Sequence, residues 1–265
     1  MKEKPGYRVV PFTMNRRMVA ASASVGRERN NIHAIIEVDI TEPRRIMHEH
    51  RQRTGERLSL TAFVVACLAR AIAEHPNLNA FRRGNKLILL DDVTISVLVE
   101  REISGERTPE PFGVQVAQSK TYRQIHDEIR TAQRGGEDRL VGLSGMSWVR
   151  FIPGFLLRVF IRAASRNIQI MKRFGAIGVT AVGMYGNDAF WLIPLSGATV
   201  VVTVGGIVGR PCVNDGQIET RQHLCLTVTF NHDIVDGAPA ARFLKRFSEL
   251  LKSGELLRDL SYSPP

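Results

Sequence analysis

Phe230-Asn231-His232-Asp233-Ile234-Val235-Asp236-Gly237-Ala238-Pro239-Ala240-Ala241-Arg242-Phe243-Leu244 is the stretch on which the reading of this chain turns. Leu224, Leu226, Val228 and Phe230 alternate ahead of it and predict a strand with one apolar face. Behind it, Phe243, Leu244, Phe247, Leu250 and Leu251 recur at helical spacing. His232 therefore falls where a strand stops, and Asp236-Gly237 falls in the turn before a helix. Pro239 fits the first helical turn, where a missing N–H costs little. Taken singly, each residue has a plain structural account: a surface histidine, an N-cap aspartate, a glycine that relieves crowding.

Outward from there, 265 residues leave room for one large domain or two small ones, with a sizeable core. Cys67, Cys212 and Cys225 are scattered, odd in number and without metal-ligand spacing. They imply a reducing compartment and no disulfide framework. The start, Met1-Lys2-Glu3-Lys4-Pro5-Gly6, has no apolar signal-peptide core, so the expected location is the cytoplasm. The uncharged run Ala189 to Gly209 is long enough to be weighed as a membrane span. Pro194, Gly197, Gly205 and Gly206 interrupt it, and Val200 to Val204 is β-branched, which favours buried strand with turns. The net charge of +10 suits an anionic partner: nucleic acid, anionic lipid or a phosphorylated ligand. No helix-turn-helix, zinc-finger or RNP-like pattern accompanies it.

Along the chain, Ile35 to Thr41 reads as a strand ending in a Thr41 cap, before a polar helix from Glu42 to Arg53. His48 and His50 are two apart and share no helical face, so no metal site is expected there. Leu58 to Glu74, capped by Ser59 or Thr61 and stopped by Pro76, is the clearest helix. Two strands, Lys86 to Leu90 and Val93 to Val99, follow, then a polar helix from Tyr122 to Arg134. Residues 141–174 hold an apolar stripe of Trp148, Phe151, Ile152, Phe155, Leu156, Val159 and Phe160. Arg158, Arg162 and Arg166 step by four along another face, and Pro153-Gly154 divides the stretch. It reads as an amphipathic basic segment packed on its own domain or on a sister subunit, or else touching an anionic membrane surface.

His-x-x-x-Asp-Gly followed by small residues and Phe-Leu resembles the active-site motif of the dihydrolipoamide acyltransferases, the catalytic cores of 2-oxoacid dehydrogenase complexes. Chloramphenicol acetyltransferase is similar. That motif opens Asp-His-Arg, whereas Asn231 and Asp233 flank His232 here. Other stretches agree: Val10-Pro11 with Arg16-Arg17 and Val19-Ala20; Glu37-Val38-Asp39-Ile40-Thr41; Pro76-Asn77-Leu78-Asn79-Ala80; and Gly178-Val179-Thr180-Ala181-Val182-Gly183-Met184-Tyr185-Gly186. The resemblance runs from about Val10 to Leu251 and breaks at 103–117 and 141–174.

The resemblance implies an α+β, chloramphenicol acetyltransferase-like fold: a central mixed β-sheet flanked by helices, in one domain over residues 1–265 that forms trimers. It implies acyl transfer between coenzyme A and a dihydrolipoyl thiol or another small acceptor. In that scheme His232 is the general base and Thr180 the oxyanion donor, supplied by a neighbouring chain. Asp236 holds the loop through an arginine, Arg16 or Arg17. No metal is required. Coenzyme A carries several phosphate charges, to which the basic balance is suited. The sequence carries no lipoyl or subunit-binding domain, so a lipoyl group is expected in trans. Against this stand two other readings: a non-catalytic assembly protein of the same fold, contacting a complex or membrane surface through 141–174, and a nucleic-acid module favoured by charge alone.

Overall fold

The computed structural model describes residues 6–103, 106–135, 153–183 and 188–261. Seven α-helices and eight strands are described, in the order α1 (Met14–Arg27), β1 (Asn31–Asp39), α2 (Thr41–Thr54), α3 (Leu60–Ala73), β2 (Ala80–Arg83), β3 (Lys86–Leu89), β4 (Ile95–Ile103), β5 (Glu106–Val114), α4 (Tyr122–Arg134), α5 (Gly154–Ala164), α6 (Ile168–Phe174), β6 (Ile177–Ala181), β7 (Val200–Asn214), β8 (Gln217–Asn231) and α7 (Gly237–Ser253). Six strands form one mixed sheet in the order β1-β8-β7-β6-β4-β5. β6 is parallel to both β4 and β7, and the remaining pairs are antiparallel. β2 and β3 make a separate hairpin.

One face of the sheet carries the main core. Val200, Val202 and Val204 of β7 lie opposite Phe230, Val228 and Leu226 of β8, and all six are buried. α3, α4 and α7 cover them. α3 is buried from Ala62 to Ala69 and again at Ala71 and Ile72, with only Arg70 of that span reaching solvent, as suits a helix at the centre of a domain. The Ser59 hydroxyl caps it by accepting from Ala62 N–H. Phe243 and Phe247 of α7 stack within this core, and Phe243 meets Phe230 edge-on.

The opposite face holds α1, the segment 188–198 and α5. Trp191 Nε1 donates to the Ile36 carbonyl, and the Gly26 backbone abuts Leu195 and Ser196. α5 packs on α1 through Leu157 and an Arg162–Glu28 ion pair. Its Phe155, Leu156, Val159 and Phe160 point to solvent. Trp148, Phe151 and Ile152, the other part of the expected apolar stripe, lie outside the described residues. α5 begins at the expected Pro153-Gly154 division, with Pro153 at its cap position, and a further break separates it from α6, which the Asn167 side chain caps.

Two expectations change. Thr41 is the first residue of α2, not its cap: Ile40 occupies the cap without a side-chain bond, and Thr41 Oγ1 instead accepts from Gln222 N–H. The stretch 103–117, expected to depart from the family pattern, supplies β5, paired along its length with β4. Pro109 and Pro111 are tolerated there because β5 is an edge strand. A half-buried polar cluster ties the helices together away from the sheet. Arg123 donates twice to Glu56, His50 Nε2 lies 2.9 Å from the same carboxylate, and Ser59 N–H donates to His126 Nδ1.

Candidate active site

β8 ends at Asn231, and the turn that follows is built by that one residue. Its carbonyl accepts from Ile234 N–H and Val235 N–H, both at 3.0 Å, and its side-chain oxygen accepts from Asp233 N–H at 3.1 Å. Val235 is buried and pins the turn to the core. His232 N–H donates to the Asn30 carbonyl at 2.6 Å, joining the turn to the α1–β1 junction. The backbone of His232 is therefore fixed, while its imidazole is 46% exposed.

Asp236 sits at the N-cap of α7 with extended backbone (φ −80°, ψ 167°), and its carboxylate makes no capping bond. Oδ1 instead lies 3.7 Å from His232 Nδ1. Arg16 and Arg17, the arginines expected to hold this loop, occupy the first turn of α1, and Asp236 faces the imidazole. The carboxylate is 83% exposed, so it steers the ring from solvent. Gly237 relieves no crowding within the chain, because a Cβ there would meet nothing within 4 Å.

Thr180 lies elsewhere. It is half-buried on β6, in register with Thr203 of β7, which is in register with Thr227 of β8. Three hydroxyl residues thus line up across the sheet face opposite the main core. Among the described residues, neither Thr203 Oγ1 nor Thr227 Oγ1 has a hydrogen-bond partner. Just beyond Thr180, chain and sheet approach backbone to backbone. A Cβ on Gly183 would sit 1.8 Å from the Gly205 carbonyl oxygen, at the bulge between Val204 and Ile207. Met184 to Gly186 lie outside the described residues. The structure does not bring Thr180 and His232 together within one chain. His232 lies just beyond β8's last residue, five positions past Thr227, a span of roughly 17 Å along the strand and about 10 Å across two strand spacings.

The family model "2-oxoacid dehydrogenases acyltransferase (catalytic domain)" matches residues 4–150 and 162–258. The chain belongs to this family. The internal stretch that the match leaves out, 151–161, includes most of α5. Among relatives, the lipoamide acyltransferase component of the branched-chain alpha-keto acid dehydrogenase complex of Bacillus subtilis is 26% identical over 94% of this chain and 53% of its own length. The chain spans about half the length of the curated relatives it matches. Among solved structures, the cubic core of the pyruvate dehydrogenase multienzyme complex superposes with TM-score 0.70 at 18% identity, over 95% of this chain and 93% of that one. The dihydrolipoamide acetyltransferase of Azotobacter vinelandii, studied for the roles of a serine, a histidine and an asparagine, gives 0.69 at 20% identity over the same shares. These likenesses establish the fold.

Three residues beside His232 were not singled out from the sequence: Asn30, Arg82 and Arg29. Asn30 Nδ2 donates to Asp233 Oδ1 at 2.8 Å, and Arg82 Nη1 lies 3.5 Å from Asp233 Oδ2. Arg29 has its pKa lowered, first by burial and next by Arg166, with Asp233 acting in the opposite sense. No local signal marks them, since they come from the α1–β1 junction and the β2–β3 hairpin, some 150 to 200 positions away. The departure from Asp-His-Arg is accompanied by these partners of Asp233.

Proposed function

We propose that this chain is an acyltransferase that moves an acyl group between coenzyme A and a small acceptor, with a dihydrolipoyl thiol as the first candidate. The observation that carries the proposal is the imidazole of His232: anchored through its backbone, faced at Nδ1 by a carboxylate, and open to solvent at the end of β8. The relatives named for lipoamide and dihydrolipoamide support the choice of acceptor. The Azotobacter enzyme was studied at a histidine and an asparagine four positions apart, the spacing of His232 and Asp236 here.

Asp236 on the Nδ1 side favours the tautomer that leaves Nε2 as the base. Nε2 takes the proton of the incoming thiol, because the thiolate is the nucleophile. The thiolate attacks the thioester carbonyl, and the oxygen becomes an oxyanion to which Thr180 Oγ1 donates. Such a donor is worth ~10²–10³ in rate. Collapse expels the first thiolate, which recovers the proton from the imidazolium. Every bond made is balanced by one broken, with no acyl-enzyme and no metal.

Thr180 reaches this site from a neighbouring protomer, so the working unit is a trimer or a multiple of trimers. The distance between Thr180 and His232 within one chain supports this. So do the exposed Tyr7, Val9, Val10 and Phe12 ahead of α1, apolar side chains suited to a second copy. We read residues 1–265 as one catalytic domain in which 141–174 is an added basic segment, and the lipoyl group as carried in trans. The compartment is the reducing cytoplasm, in keeping with three free cysteines. No helix among the described residues is long and apolar enough to cross a membrane.

The test is coenzyme A release from short acyl-CoAs with dihydrolipoamide and a panel of thiol, hydroxyl and amine acceptors. Wild type turns over and His232→Ala, folded by circular dichroism, does not. Equal behaviour of both proteins with every acceptor sinks the proposal and leaves the non-catalytic assembly reading.

A further inference from the structure

We infer that Asp233 is a positioning residue for His232, acting as the one negative charge that bolts the catalytic turn to an arginine-rich corner; the inference rests on the acyl-transfer reading above. Three separate segments meet at its side chain. Oδ1 accepts from Asn30 Nδ2 at 2.8 Å, and Oδ2 faces Arg82 Nη1 of the β2–β3 hairpin at 3.5 Å. Its own N–H is held by the Asn231 side chain at 3.1 Å. Asn30 is engaged twice, since its carbonyl also accepts from His232 N–H at 2.6 Å. His232 is therefore gripped through Asn30 directly, and again one residue later through Asp233.

The charge is as pointed as the geometry. Arg29, Arg82 and Arg166 interact electrostatically in this corner, and Glu28, the other nearby carboxylate, is paired with Arg162. The Asp233 side chain is 23% exposed against 51% for Arg82, so the attraction between them is partly screened and the bond from Asn30 supplies the direction. An arginine at this position would meet like charge. That explains why the residue after the histidine is acidic here. Rotating or sliding the turn moves Nε2, and a displacement near 1 Å at a reacting group costs ~10²-fold in rate.

The experiment compares wild type with Asp233→Ala, Asp233→Asn and Asn30→Ala. It measures kcat and KM for acyl-CoA, Tm, and the Hε1 proton resonance of His232, assigned by its loss in His232→Ala. We expect Asp233→Ala to lower kcat ~10- to 100-fold with KM within about twofold, and to broaden or double the resonance. Asp233→Asn, whose amide oxygen still accepts from Asn30 but which has no charge to face Arg82, recovers only part of the rate and falls between wild type and Asp233→Ala. Asn30→Ala, which keeps the carbonyl on His232, reproduces the loss and decides the matter if Asp233→Ala does not fold. Wild-type kcat and a single unshifted resonance in Asp233→Ala and Asn30→Ala overturn the inference. So does a loss of rate in Asp233→Ala tracked wholly by a fall in Tm with an unaltered resonance. Wild type without turnover on any acyl-CoA sinks the acyl-transfer reading instead, and the resonance still decides whether Asp233 holds the ring.

Discussion

At His232, the 3.7 Å gap to Asp236 and the open Nε2 describe a ring that is aimed but not buried. Substituting His232→Ala removes the base and is expected to lower kcat by ~10²–10⁴, measured by coenzyme A release, with Tm unchanged within about 2 °C. Thr180→Val keeps the shape of a β-branched strand residue and removes the hydroxyl. It is expected to cost ~10²–10³ in kcat, while Thr180→Ser keeps most of the rate. An equal rate in the valine variant removes Thr180 from the mechanism. His232 and Asp236, which the structure places 3.7 Å apart, stand out in the sequence because their four-residue spacing matches a known motif. Their partners do not. Asn30 and Arg82 are ordinary polar residues in sequence, and only the packing of the β2–β3 hairpin and the α1–β1 junction on the turn gives them work.

At the scale of elements, glycines separate two kinds of position. Gly183→Ala drives a Cβ to 1.8 Å from a carbonyl oxygen in a buried sheet, and is expected to destabilise by about 2 kcal/mol or more in chemical unfolding. Gly237→Ala meets open space and is expected to change stability by less than about 0.5 kcal/mol. Lost turnover in that second variant, with stability intact, points to crowding by substrate or a neighbouring chain. Acid sensitivity belongs to the helices. The Arg123 guanidinium, helped by His50, holds Glu56 down to about 2 from an ordinary 4.5. The stability this supplies is complete above pH 4.5 and is lost as pH falls toward 2. Burial, and then Arg130, lowers the pKa of His126, so the unfolded chain binds its proton first and stability also declines as pH falls through 6.5. Glu56→Gln is expected to lower Tm by a few degrees at pH 7, a cost of about 1 kcal/mol for a partly exposed pair. The gap to wild type closes between pH 4.5 and 2, and a gap independent of pH contradicts the assignment. Most elements were legible from periodicity, and α4 runs from Tyr122 to Arg134 as the sequence implies. β8 was legible only from Leu224 on. Its first half, Gln217 to Gln222, is polar on both faces and extends with β7 beyond the main core as a hairpin. That hairpin turns at Asp215-Gly216 with positive φ at both residues.

At the scale of the molecule, the mixed six-stranded sheet puts His232 just past the end of β8 and Thr180 one residue from the end of β6, two strands away. On the proposed mechanism, one chain holds both halves of the site and a neighbouring chain joins them. α5 adds a surface of exposed Phe155, Leu156, Val159 and Phe160 in a stretch largely outside the family match. Vesicle flotation is expected to find no binding dependent on anionic lipid if that surface packs on a sister chain; lipid-dependent binding identifies a membrane contact instead. Which faces meet between copies is a matter of three-dimensional complementarity that a one-dimensional pattern does not carry. The most direct measurement mixes the two dead chains. Refolding or co-expressing His232→Ala with Thr180→Val in equal amounts places intact His232 against intact Thr180 at about a quarter of the interfaces of a cyclic trimer. The account predicts that coenzyme A release recovers toward that fraction, far above either variant alone. Mixed oligomers no more active than their parents, or a fully active wild-type monomer, contradict it.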